Sequence, residues 1–268
     1  MKFQRFLFIF LLGILLFSFQ SVYLYLTPHY TPQIPTNLMP ILEKSHLTPD
    51  DYALLYAQTG LSASIIDELR LGPNAVSEIL GYQEDFFKSV KVTNKYLPPF
   101  TFCQLTVNDT NAPKKAFKLA PYHNGYIVMT NSTHSLGWRH GHVGLIVDDI
   151  HGYSLEALSY GQISGLQNIH KWEYYPTFKM LRLKDASFDE LNAISDYALL
   201  HLSCLPYRIL STKKQCPPTS THCALLIWQA FIPFGYDLAP HGVVSPHAIA
   251  SSPYLELLQI YGFDPKKD

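Results

Sequence analysis

The sequence predicts a fold that combines helices with short strands, behind an apolar N-terminal run. Residues 47–92 carry helix-capping signals and apolar residues at helical spacing. From Tyr122 onward, short apolar runs alternate with turn residues, a pattern typical of strands. An apolar stretch that favours a helix begins at Cys223 and ends before Pro233.

Size and composition limit the class of protein. The 268 residues suffice for an N-terminal anchor, a small helical segment and one further domain. Apolar residues make up 47% of the chain, which supports a sizeable core. The formal net charge is -1. Because nucleic-acid-binding proteins normally carry a basic surface, this charge argues against such a partner.

The N-terminal segment is an apolar run behind two basic residues. Lys2 and Arg5 precede it, and it extends with few interruptions from Phe6 to Leu26. A run of roughly 21 residues has the length that a bilayer requires. We expect a single-pass signal-anchor in the cell membrane, with the rest of the chain outside the cytoplasm. The alternative is a cleaved signal peptide that releases a secreted protein.

A helical segment follows a Pro-rich linker over residues 27–46. Its first helix has Thr48 as the N-cap residue, Pro49 at the first helical position and Gly60 at its end. A Gly-Pro pair ends the second helix, and a third starts near Asn74. We expect this segment to pack against the following domain or to space it from the membrane. Gating of substrate access is the alternative.

The second half of the chain alternates strands and helices. Residues 93–120 show no strong period and predict a surface loop with short strands. A hairpin loop is predicted at residues 148–152, and Ser187 and Glu190 form a capping box for a helix. The last predicted helix begins at Cys223. The predicted strands cover residues 125–129, 142–147, 153–158 and 177–183.

Cys223 is the candidate nucleophile because it starts a predicted helix. Unpaired N–H groups and the helix dipole favour a thiolate there, and the same N–H groups can stabilise an oxyanion. A buried structural cysteine is the plainer alternative. The other cysteines are Cys103, Cys204 and Cys216, with no CxxC pair. A disulfide between Cys204 and Cys216 is one candidate pairing in an exported domain.

His142 and Glu156 are candidates for the base and its acidic partner. His142 opens a strand between two glycines, and His140 is its rival two residues earlier. Glu156 lies on the partner strand, where a carboxylate could orient the imidazole. Both side chains share a face only if the hairpin loop has an odd length, three or five residues.

These motifs resemble the permuted, YiiX/YaeF-like branch of the NlpC superfamily, in which the histidine motif precedes the cysteine motif. The resemblance covers roughly residues 121–262. The segments that carry it are His-Gly-His-Val-Gly-Leu-Ile-Val at 140–147, Leu-Glu-Ala at 155–157, Pro-Tyr at 206–207 and Thr-His-Cys-Ala-Leu-Leu-Ile-Trp-Gln-Ala at 221–230.

The resemblance implies an α+β fold, a permuted papain-like domain with a small antiparallel sheet packed on the cysteine helix. It implies Cys223 as nucleophile, His142 as base and Glu156 as the polar third residue. It also places Tyr207 of the Pro-Tyr motif near the nucleophile.

Further site residues are expected around the oxyanion and the substrate. We expect Tyr207, His222 and His140 to serve there. His222 stands where the family often has an aromatic residue, which is expected to alter substrate preference. Tyr126 follows Gly125 where the family often has Gly-Asp, which is expected to change the loop beside the cleft.

The resulting expectation is an exported, membrane-anchored cysteine hydrolase of the amidase or peptidase type. It would act through a thioacyl-enzyme on a peptide or acyl substrate of the cell envelope, as a monomer without cofactor or metal. The alternatives are a non-catalytic envelope-binding module, an acyl-lipid hydrolase or acyltransferase, and a metal site of His140, His142 and Cys223. The expected divisions are a signal-anchor at 1–26, a linker at 27–46, a helical accessory segment with its connecting loop at 47–120 and the catalytic domain at 121–268.

Overall fold

The structure, a computed structural model, describes residues 5, 7–16, 29–98, 100–135, 138–213 and 217–267. After a helical stretch at residues 7–16, the helices are α1 (Met39–Leu42), α2 (Pro49–Thr59), α3 (Ala63–Arg70), α4 (Ala75–Phe86), α5 (Phe188–Leu202), α6 (Cys223–Phe231) and α7 (Pro246–Ala250). Two 3-10 helices cover Ile169–Tyr174 and Ile232–Phe234. The strands are β1 (Lys91–Leu97), β2 (Thr101–Val107), β3 (Ile127–Thr130), β4 (Thr133–Ser135), β5 (Trp138–Arg139), β6 (His142–Asp148), β7 (Tyr153–Glu156), β8 (Gly165–Asn168), β9 (Phe178–Leu183) and β10 (Leu255–Tyr261).

The predicted N-terminal transmembrane helix is not supported, and that part of the fold prediction is wrong. Within the ranges given above, no helix is long and apolar enough to cross a membrane. Apart from residues 5 and 7–16, the predicted 1–26 segment lies outside the described residues. The location outside the cytoplasm stays a prediction.

The sheet prediction also needs correction, because the described residues form two antiparallel sheets instead of one small sheet. One has six strands in the order β10-β9-β3-β6-β7-β8, and the other has four in the order β1-β2-β4-β5. The short strands expected within the loop over residues 93–120 are present in its first part, where β1 and β2 form a hairpin. The side chains of β1 are mostly exposed, so its sequence lacks the apolar alternation that signals a strand.

The three helices of the predicted helical segment are confirmed, and local capping explains them. The Thr48 side chain accepts a hydrogen bond from the Asp51 N–H, and the Asp51 carboxylate accepts one from the Thr48 N–H. Gly60 ends α2 with φ of 70°. A Cβ there would lie 2.2 Å from the Ile260 carbonyl oxygen, so the position requires glycine. The Ile260 N–H donates to the Gly60 carbonyl at 2.8 Å, which joins the segment to β10.

The core around the site lies between β6 and two helices. Residues 142–147 of β6 are all buried, and both α5 and α6 pack against this strand. Every residue of α6 is buried as well, which accounts for a sequence that is apolar at every position except Gln229. The packing of α6 on β6 brings the start of the cysteine helix beside the start of the histidine strand.

Candidate active site

Cys223 is the first residue of α6, as the sequence predicts. Its neighbour His222 is the N-cap residue, and the His222 Nδ1 accepts a hydrogen bond from the Leu225 N–H at 3.4 Å. The Cys223 side chain is nearly buried, with 9% of the residue exposed. Its thiol therefore lies at the positive end of the helix dipole, in an environment that excludes most water.

His142 lies between the thiol and a carboxylate. Its Nε2 is 2.6 Å from Glu156 Oε2, and the same ring is hydrogen-bonded to the Cys223 thiol. The ring lies parallel to the Trp172 indole, with 5.5 Å between centroids and 5° between planes. The structure thus brings together the sulfur, the imidazole and the carboxylate that the sequence analysis selected.

A β-bulge puts His142 and Glu156 on the same face of the sheet. The loop between β6 and β7 has an even length, residues 149–152, whereas a regular hairpin would need an odd one. The strand register shifts between Ile146 and Asp148, which adds one residue to β6. This extra residue restores the parity that the His142–Glu156 contact requires.

Gly144 leaves room for the Glu156 side chain. A Cβ at this position would lie 2.8 Å from Glu156 Cγ and 3.2 Å from Trp172 Cζ2. Such contacts are closer than side-chain carbons tolerate. The glycine of the histidine motif therefore has a steric role in letting the acid reach the imidazole.

Glu156 is held by donors from three elements. Its carboxylate is 1% exposed, yet both oxygens have partners. Ser154 Oγ donates to Oε1 at 2.6 Å and Trp172 Nε1 donates to Oε1 at 3.2 Å. Lys171 Nζ donates to Oε2 at 2.6 Å, the oxygen that also contacts His142. A buried carboxylate with this set of partners is fully satisfied.

Sequence reasoning missed Ser154, Lys171 and Trp172. The alternation of β7 could have indicated Ser154, since residues 154 and 156 share a face of the strand. Lys171 and Trp172 lie in the 3-10 helix Ile169–Tyr174, which no periodic pattern in the sequence predicts. Only the folded chain brings them to the carboxylate.

The electrostatics of the three groups favour charged forms. Burial alone raises the pKa of the Cys223 thiol, but hydrogen bonds from His142 and His222 outweigh it and lower the pKa to about 5. Burial likewise lowers the pKa of His142, yet its bonds to Cys223 and Glu156 raise it to about 9. For Glu156 burial is opposed by the Lys171 charge and the His142 bond, and the pKa falls to about 2.

These opposed shifts define the charge state of the site near neutral pH. Cys223 is a thiolate, His142 an imidazolium and Glu156 a carboxylate. A thiolate beside an imidazolium is the reactive form of a cysteine nucleophile.

Tyr207 lies beside the cysteine segment. It forms an isolated parallel bridge with Thr221, two residues before Cys223. Burial and the negative charge of Cys223 raise the pKa of the Tyr207 phenol well above its usual value. The phenol therefore stays protonated and can donate a hydrogen bond near the sulfur.

His140 faces other groups in this structure. Its Nε2 lies 3.0 Å from Ser135 Oγ and its Nδ1 lies 2.8 Å from the Gly141 carbonyl oxygen. Gly141 has φ of 72°, so the strand that starts at His142 does not extend back to His140. The structure thus brings His142, and not His140, into contact with Glu156.

The other cysteines that the structure describes form no disulfide. Cys103, Cys204 and Cys223 are free thiols, and Cys216 of the candidate disulfide lies outside the described residues. Within the described ranges, no group of three or more His, Cys, Asp or Glu side chains is arranged to hold a metal ion.

Comparison with known proteins gives one structural match. No protein-family model matches the chain, and no curated protein matches it. A solved structure described as metalloprotein yiiX from Escherichia coli O157:H7, DUF1105, is similar to 52% of this chain and 97% of its own chain, with 13% sequence identity and a TM-score of 0.44.

Proposed function

We propose that this protein is a cysteine hydrolase of the amidase or peptidase type that works through a thioacyl-enzyme. One observation carries the proposal: the Cys223 thiol, at a helix N-terminus, is hydrogen-bonded to His142, which lies 2.6 Å from the buried Glu156 carboxylate. A nucleophile, a base and an orienting acid in one chain of hydrogen bonds is the arrangement that acyl transfer requires.

The reaction begins with attack of the Cys223 thiolate on a substrate carbonyl carbon, which forms a C–S bond and an oxyanion. The Cys223 backbone N–H, with the Tyr207 phenol and His222 as further donors, stabilises that oxyanion. The His142 imidazolium gives its proton to the leaving amine as the C–N bond breaks. Neutral His142 then takes a proton from water, and the resulting hydroxide displaces the thiolate from the acyl group.

Glu156 acts through His142 in this scheme. Its carboxylate fixes the ring orientation and stabilises the imidazolium that accompanies the thiolate. The hydrogen bonds from Ser154, Lys171 and Trp172 keep the carboxylate in place. The proton taken up by the leaving group therefore comes from His142, and Glu156 stays ionised throughout.

The proposed substrate class is a peptide-type amide of the cell envelope, with acyl lipids as the alternative acyl donor. The resemblance of the histidine and cysteine motifs to the NlpC superfamily supports the amide. The complete set of Cys223, His142 and Glu156 in hydrogen-bond contact counts against a non-catalytic binding module.

The proposal is tested by incubating the full chain with purified peptidoglycan fragments and, separately, with acyl lipids. Mass spectrometry of wild type is compared with Cys223→Ala and with the matched control Cys204→Ala, which removes an exposed free thiol. We expect new amine or acid products from wild type and Cys204→Ala, and an acyl adduct on Cys223. Products that persist in Cys223→Ala, or none with either substrate, would refute the assignment.

A further inference from the structure

The carboxylate behind His142 has an unusual second cation. Lys171 Nζ and His142 Nε2 both lie 2.6 Å from the same oxygen, Oε2 of Glu156. Two charged donors on one carboxylate oxygen are close enough for each to affect the other's hydrogen bond. Burial strengthens that coupling, since Glu156 is 1% exposed.

The charges of Cys223, His142, Glu156 and Lys171 together sum to zero. Cys223 and Glu156 are negative and His142 is positive, so these three groups alone would leave one uncompensated negative charge in the interior. An isolated buried charge is strongly unfavourable. The Lys171 ammonium supplies the missing positive charge, and 27% of the Lys171 side chain is exposed to water.

We propose that Lys171 is a positioning residue for the Cys223–His142 pair, because it supplies the positive charge that lets Glu156 and Cys223 be anionic together. This inference rests on the proposed function. Lys171 acts through Glu156, and no step of the reaction requires it to touch the substrate. The electrostatic effect of Lys171 on Glu156 is the largest of those that favour the carboxylate, ahead of the His142 hydrogen bond.

Other titratable groups near Glu156 do not replace this charge. The charge of Glu156 acts on both Cys103 and Tyr175, and burial raises the pKa of Cys103 to about 12 and that of Tyr175 well above its usual value. Both are therefore neutral near pH 7. Lys95 acts on Cys103, whereas the hydrogen-bond partners of Glu156 are His142, Ser154, Lys171 and Trp172. On the cysteine side, the groups that face Cys223 are His142, His222 and the neutral Tyr207 phenol.

A second lysine–glutamate pair, which involves Glu173 of the same 3-10 helix, offers a matched control. Lys115 Nζ lies 2.5 Å from Oε2 of Glu173, a carboxylate whose side chain is 6% exposed. Lys115→Met thus removes a lysine from a nearly buried glutamate close to the site without touching Glu156. If the loss of any lysine–glutamate pair changed the alkylation of Cys223, Lys115→Met would change it as Lys171→Met does. A change that is specific to Glu156 should appear in Lys171→Met alone.

The test is the rate of Cys223 alkylation by iodoacetamide between pH 4 and 10, with the modified residue identified by peptide mass spectrometry. An opposite charge at this distance lowers a carboxyl pKa by about 1–3. The acid limb of the profile is the pH range in which the alkylation rate rises as the Cys223 thiol loses its proton. We expect Lys171→Met to move this limb to higher pH by roughly one unit, so that the rate at a given pH on the limb falls about tenfold. Lys171→Arg keeps the limb near its wild-type position, and so does Lys115→Met.

A double variant separates positioning from structure. In a Glu156→Gln background the Lys171→Met change should move the limb no further, because the negative charge that needs balancing is gone. An unshifted limb in Lys171→Met, in a protein that folds as judged by circular dichroism, would overturn the inference. A wild-type profile without a low acid limb would instead overturn the proposed function, so the two failures are distinguishable.

Discussion

Replacement of Gly144 by alanine should separate the acid from the imidazole with a single methyl group. The new Cβ would lie 2.8 Å from Glu156 Cγ, whereas carbon atoms rest at about 3.5–4.0 Å. The Glu156 side chain must therefore move by roughly 0.7 Å or more. Displacement of that size lengthens the 2.6 Å bond to His142 towards the limit of a useful hydrogen bond.

The expected size of the effect follows from the lost contact and the crowded core. Overpacking costs about 1–3 kcal/mol of unfolding free energy. Loss of a hydrogen bond to a charged group costs about 1.5–3 kcal/mol. The free energy of the lost hydrogen bond corresponds to a shift of the acid limb of Cys223 alkylation to higher pH by roughly one to two units.

The assay combines urea denaturation with the alkylation profile of Cys223. Gly165→Ala is the matched control, because Gly165 pairs with Glu156 across β7 and β8 and a Cβ there meets nothing within 4 Å. We expect Gly165→Ala to leave the profile unchanged. If Gly144→Ala kept both the wild-type stability and the wild-type limb, the steric role assigned to this glycine would be refuted.

Three further outcomes are expected. Thr48→Ala removes the N-cap of α2 and should lower the unfolding free energy by about 1 kcal/mol, measured in urea, without changing Cys223 alkylation. Trp172→Phe keeps an aromatic ring beside His142 but removes the N–H donor to Glu156, so urea denaturation should show a loss of about 1.5–3 kcal/mol. The pKa of Glu156 is depressed to about 2, so its ionised form stabilises the fold above its ordinary value near 4.5 and this stabilisation is lost as pH falls towards 2. The stability difference between wild type and Glu156→Gln should therefore shrink from pH 7 to pH 3.

Local signals made the helices predictable. The two ends of α2 are set by residues within one turn of each end. These are the N-cap Thr48 and the proline that follows it at the start, and the glycine at position 60 at the end. The start of α6 at Cys223 was predictable for a similar reason, since the apolar residues 224–228 follow it directly. These features depend on neighbours in the sequence and need no knowledge of the rest of the fold.

The sheets were harder because their order depends on distant pairing. The strand β1 is mostly exposed and β10 pairs with β9 across more than seventy residues of sequence. Neither α7 nor β10 was anticipated after the cysteine helix. The predicted single small sheet failed because a second hairpin, β1 with β2, forms where the sequence shows no alternation.

For the site as well, the candidate residues were predictable from the sequence, whereas the contacts between them were not. Residue chemistry made Cys223, His142 and Glu156 candidates, and the resemblance of their motifs to a known family assigned their roles. Their contact depends on the bulge before Asp148, and a register shift of one residue has no signature in the sequence. Lys171 could not have been selected either, since nothing but the fold places it on Glu156 Oε2.

The most direct measurement is the pH profile of Cys223 alkylation in wild type and in His142→Ala. Because the His142 and His222 hydrogen bonds lower the thiol pKa, we expect the wild-type acid limb near pH 5. In His142→Ala the limb should move towards the ordinary thiol value of about 8.5. A wild-type limb at 8.5 or above, unchanged by His142→Ala, would contradict the ion pair on which the proposed hydrolase depends.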